Sequence, residues 1–237
     1  MTARLVAVLL FAAAIASAQV DPAVSFRTAN ESAARSRWDE AIEKYARLAD
    51  SGVRAPSLYW NWSQAASANG RQGEAVWSLM CARQLVPGDE SVHREIERLR
   101  AELGLDPSEI SLGLAGDALL VSRRFHLEVF AALAFIVTLI GTVSRRLRTA
   151  PSLGFFLAGV LFLAPFWMGS FQGSRAVVIR KDAPLVDIPR NDAVPLATLR
   201  EGEVIPVLAE EGDYFKVQDA SGARGFAHKS NVRRIAD

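Results

Sequence analysis

A 34-residue periodicity running from about position 26 to position 103 is what most restricts the fold of this 237-residue chain. Ala41 and Ala75 lie 34 apart, and so do Tyr45 and Leu79, and Ala29 and Ser63. Within each unit the apolar residues recur at helical spacing. Trp38, Ala41, Ile42, Tyr45, Leu48 and Ala49 mark one face of a helix. Asp39 and Glu40 fall in its first turn, where the helix dipole favours negative charge. Ser51-Gly52 closes it, and Pro56 opens a second helix carrying Leu58, Tyr59, Trp62, Ala65 and Ala66, which breaks at Asn69-Gly70. A third bears Ala75, Val76, Leu79, Met80 and Ala82 and stops at Val86-Pro87-Gly88. A last one, with Asp89 as its cap, shows Val92, Ile96, Leu99 and Leu103 before Gly104. Helices that cannot bury their apolar faces alone must stack on their neighbours.

Tyr59, Trp62, Ala75, Leu79, Ala82 and Pro87 resemble the tetratricopeptide repeat, in which an aromatic-rich helix precedes one with a fixed alanine and a closing proline. The first unit departs from that pattern, with Ser25 and Thr28 where bulky residues are usual and Val53 where proline is. Two repeats with the helix after Pro87 as a cap form a short array. The resemblance implies an all-α repeat domain over 19–104, with a concave, peptide-binding face lined by the first helix of each pair. In that register Phe26, Asn30, Trp60 and Gln64 point into the groove. Trp60 has two readings, because Tyr59 and Trp62 already take the packing positions. It is either a binding hot spot or a residue that packs on a neighbouring segment.

Three apolar runs, at 5–18, 125–143 and 153–171, hold much of the hydrophobic content. The first follows Arg4 and ends in Ala16-Ser17-Ala18, the layout of a signal peptide over 1–18. The other two are 19 residues each, enough for roughly 28 Å of helix, close to the hydrocarbon thickness of a bilayer. They predict a transmembrane hairpin over 123–172, preceded by a linker at 105–122. Arg145, Arg146 and Arg148 place the 144–152 loop on the cytoplasmic side. The expected location is therefore the bacterial inner membrane, with both flanking domains outside the cytoplasm.

From 173 to 237 the texture changes to short β-rich runs, at 176–180, 204–208, 214–218 and 224–227, separated by turn residues. Leu199 to Val204, Tyr214-Phe215-Lys216-Val217 and Gly225-Phe226-Ala227 resemble bacterial SH3-like domains. That resemblance implies a small barrel in which Tyr214 and Phe226 either line a peptide or cell-wall groove or fill the core. The fold class expected is thus multidomain: an all-α tetratricopeptide-like domain, a two-helix transmembrane hairpin and a small all-β SH3-like barrel.

A net charge of +1, with no basic stripe, argues against a nucleic-acid partner. Cys81 is the sole cysteine, and His93, His126 and His228 are scattered, so neither a disulfide nor a metal site is expected. No phosphate loop or nucleophile elbow is visible, and the chain reads as a non-enzyme without a cofactor. The order of its parts is similar to the BatE-type aerotolerance proteins. That resemblance implies partners with von Willebrand factor A domains in the membrane, a MoxR-type ATPase acting indirectly, and a scaffold role in envelope stress. Two alternatives stand beside it: a tether that binds peptidoglycan through the SH3-like domain, and a regulatory subunit of an envelope enzyme or transporter.

Overall fold

The computed structural model describes residues 21–106, 174–190 and 192–235, together with the isolated positions 129, 133 and 136. The first block folds into helices α1 (Pro22–Ala34), α2 (Trp38–Asp50), α3 (Pro56–Ala68), α4 (Gln72–Leu85) and α5 (Glu90–Glu102). Asp21 starts α1 by accepting a hydrogen bond from the Ala23 N–H at 2.9 Å, with proline as the first helical residue. Asp89 does the same for α5, accepting from the Ser91 N–H at 2.8 Å. Helix α2 is cleanly two-faced: Ala41, Ile42, Tyr45, Leu48 and Ala49 are buried, while Glu40 bridges Arg37 (2.9 Å) and Lys44 (2.7 Å) on the wet side. Helix α4 is different. Gly73 and every residue from Ala75 to Ala82 are buried, so it is covered all round, as a core helix must be. Ala65, Ala66, Ala75 and Ala82 are at most 1% exposed, and their small side chains let α3 and α4 approach closely.

The second block forms seven antiparallel strands: β1 (Arg175–Val178), β2 (Ala183–Val186), β3 (Pro195–Leu199), β4 (Val204–Glu211), β5 (Tyr214–Gln218), β6 (Arg224–His228) and β7 (Val232–Arg234). Their order is β3-β2-β6-β5-β4-β1-β7. Strand β4 turns the sheet. Its first part pairs with β1, its second part with β5, and the register slips between Val207 and Ala209. Such a bulge bends the strand and lets one chain serve both halves. No pairing between β3 and β7 closes the sheet among the described residues, which corrects the expected barrel.

The two blocks share one core. Val177, Val204 and Ile235 of the β-domain pack into the cluster built by the helices. The Gly73 N–H at the start of α4 donates to Glu201 Oε1 at 2.8 Å. Trp77 Nε1 donates to the Arg234 carbonyl at 2.8 Å, and the Arg233 guanidinium lies 3.8 Å from the Trp77 ring centre and 4.8 Å from that of Trp62. Arg100, only 1% exposed, donates to the Gly202 carbonyl (3.0 Å) and the Asp106 carbonyl (2.6 Å). A buried cation here is held by main-chain dipoles on both sides of the junction.

Apart from the isolated positions 129, 133 and 136, both expected membrane segments, 125–143 and 153–171, lie outside the described residues, as do the signal peptide and the 144–152 loop. Among the described residues no helix is long and apolar enough to cross a membrane. The longest has 14 residues, about 21 Å, against roughly 30 Å of hydrocarbon. The expected fold with a two-span hairpin, and the inner-membrane location read from it, are corrected accordingly. What is seen is a helical array and an antiparallel sheet packed directly on one another.

Candidate functional site

Helices α1, α3 and α5 are equivalent under the 34-residue repeat. Phe26, Trp60 and Arg94 correspond, as do Asn30, Gln64 and Arg98, and Arg27, Asn61 and Glu95. The correspondence extends to hydrogen bonds. Asn61 Nδ2 donates to Asn30 Oδ1 at 3.0 Å, and Gln64 Nε2 donates to Glu95 Oε1 at 3.3 Å, each across 31 positions. The same pair of positions is therefore bonded in successive repeats, with donor and acceptor exchanged. Asn30 Oδ1 also accepts from the Tyr45 hydroxyl at 2.7 Å. Tyr45 packs beside Phe26, with ring centres 6.2 Å apart, and burial pushes its phenol up to about 12.

These bonds fix how each amide is presented. Asn30 has its oxygen occupied twice, so its NH2 group remains as a donor. Asn61 and Gln64 each have one amide N–H engaged, and their carbonyl oxygens remain as acceptors. Glu95 is held below the usual carboxylate range chiefly by its hydrogen bond to Arg98, with Gln64 adding to the effect. Phe26 and Trp60 are half-buried, each packing in part on the helical core, while Gln64 is exposed. The four residues singled out from sequence thus sit on α1 and α3 at equal register. Asn61 and Glu95, which complete the row, were not among them; they share a 34-residue register with each other and with Arg27, one position after that of Phe26 and Trp60.

Tyr214 and Phe226 come together elsewhere, on the β-domain. With Val186 they form a small separate cluster, and they are 9% and 8% exposed. Lys216 Nζ lies 5.6 Å from the centre of the Phe226 ring. Tyr214 stands opposite His228 in the β5–β6 register, with ring centres 5.0 Å apart and planes at 87°. Both border an open depression of about 390 Å³. Pro184, Val186 and Tyr214 supply its apolar side; Arg190, His228, Ser230 and Asn231 supply the polar one. His228 Nδ1 accepts from the Ser230 N–H at 3.1 Å and lies 2.7 Å from Ser230 Oγ. The proton of the neutral ring is therefore on Nε2.

Among the described residues no three His, Cys, Asp or Glu side chains gather as metal ligands. Comparison with protein families, curated proteins and solved structures finds no match for this chain.

Proposed function

We propose that the protein is a non-catalytic scaffold that holds an extended segment of a partner protein along the row formed by α1, α3 and α5. The observation that carries this reading is the repeated polar pair, Asn30–Asn61 and Gln64–Glu95, which leaves the Asn30 NH2 group and the Asn61 and Gln64 carbonyl oxygens uncommitted along successive first helices. An extended main chain offers N–H and C=O groups in alternation, the complement of such a row. Phe26 and Trp60 flank the amides in the same register and supply apolar anchors beside them. Because the amides are already oriented by their own hydrogen bonds, little side-chain entropy remains to be lost on binding. Proteins with von Willebrand factor A domains, the partners implied by the architectural resemblance, are the first candidates.

The test places a photo-crosslinking residue at position 64 of the full chain in cells and identifies the adducts by mass spectrometry. A discrete protein adduct, lost on Trp60→Ala while the melting temperature holds, supports the reading. Diffuse adducts, or a discrete one indifferent to Trp60→Ala, overturn it.

A further inference from the structure

The depression on the β-domain is a second site, independent of the helical row. Its lining holds a guanidinium, an imidazole, a hydroxyl and an amide, and no carboxylate. Two other cations of this domain have partners: Lys229 reaches Glu210 at 2.5 Å, and Arg233 is spread over two indole rings beside Glu74. Arg190 has no ion pair among the described residues and is exposed at the rim. His228 is fixed on both sides, edge-on to Tyr214 and bonded through Nδ1 to the Ser230 main chain, which leaves Nε2–H as the ring's available donor. Pro184, Val186 and Tyr214 supply the apolar part of the lining.

We propose that this depression takes the free C-terminus of a peptide, with the carboxylate on Arg190 and His228 and the last side chain against Val186 and Tyr214. A guanidinium meets a carboxylate in a two-pronged, charge-assisted pair, and the imidazole N–H adds a third donor. The volume, about 390 Å³, suits one or two residues, and it sits at the small end of ligand sites. A phosphate fits less well. It calls for several cations or a nest of main-chain N–H groups, and the Ser230 N–H is already committed to His228. The apolar part of the lining would also face nothing.

The experiment titrates the isotope-labelled full chain, followed by NMR, with acetyl-Ala-Ala as the free acid, with its C-terminal amide, and with inorganic phosphate. The acid is expected to shift the Ser230, Asn231 and His228 signals saturably, with the amide at least tenfold weaker. Arg190→Gln and His228→Gln should each weaken the acid by about tenfold or more, which corresponds to about 1.4 kcal/mol. Arg190 is exposed, so its substitution leaves the fold in place, and Lys181→Gln, at another exposed cation, should change nothing. Equal binding of acid and amide, saturation by phosphate but not by the acid, or no shift with any probe overturns the proposal.

Discussion

Gly73→Ala tests the junction between helices and sheet by the sign of its effect. In an isolated helix the change is neutral or favourable, since alanine exceeds glycine in helix propensity by up to about 1 kcal/mol. At the junction there is no room. A Cβ at position 73 falls 2.4 Å from the Val178 carbonyl oxygen and 2.8 Å from both Ile179 Cα and Glu201 Cγ. The Val178 carbonyl cannot swing aside, because it accepts from the Gly202 N–H at 2.8 Å. Moving Glu201 loosens its 2.8 Å bond to the Gly73 N–H. Overpacking against backbone costs about 1–3 kcal/mol, and a hydrogen bond to a charged group contributes about 1.5–3 kcal/mol. The net expectation is a loss of about 2–5 kcal/mol. With a urea slope of about 2 kcal/mol per molar, the unfolding midpoint falls by about 1 M or more. Equilibrium urea unfolding, followed by tryptophan fluorescence and by circular dichroism, reads this directly, since Trp62 and Trp77 both flank the junction. An unchanged or raised midpoint refutes the docking of the sheet on α4.

Two further outcomes follow from the same contacts. Arg100→Met removes the donors that satisfy the Gly202 and Asp106 carbonyls and should destabilise the chain by about 2–3 kcal/mol; a loss under about 0.5 kcal/mol in the same urea assay contradicts that role. Tyr45 predicts an alkaline effect. Its folded-state value is raised from 10.0 to about 12 by burial, so the unfolded chain releases the proton first. Stability from this group is intact below pH 10 and is lost as pH rises from there through about 12. Tyr45→Phe should flatten that decline; an identical alkaline profile in both proteins argues against it.

Helix α2 is legible from sequence because one face is apolar and the other carries Asp39, Glu40, Glu43, Lys44 and Arg47. Helix α4 is legible only in part. Ala75, Val76, Leu79, Met80 and Ala82 read as a single stripe, yet Trp77, Ser78 and Cys81 on the remaining faces are buried as well. An all-round apolar helix signals a second covering layer, but nothing local says which residues supply it. Here they lie 128 and 157 positions away, at Glu201 and Arg234. Strands β2 and β3 escape a periodicity search because they are only four and five residues long and carry proline at their second and first positions, which weakens a strand signal. The expected hairpin had the further effect of separating the two blocks into independent modules, which hides the core they share. As for the sites, the 34-residue offset carries the helical row as far as it is followed. The depression is different: Arg190 and His228 are unremarkable in sequence and meet only through the β2–β6–β5 pairing.

That shared core has a consequence for any partner that touches both sites. Asn231 borders the depression and leads directly into β7, whose Arg233 lies over the rings of Trp77 on α4 and Trp62 on α3. Trp62 in turn donates from Nε1 to Glu74 at 3.0 Å, and two residues further along the same helix Gln64 stands in the amide row. Every link in this chain is a packed ring, a hydrogen bond or a continuous element, with no linker among them. Two modules on a flexible tether present their sites at a variable distance, and a partner of almost any spacing can engage both, with the gain set by linker length. Sites built on one core present a fixed spacing instead. A partner that matches it binds twice without ordering a linker, and one that does not match can use only one site at a time.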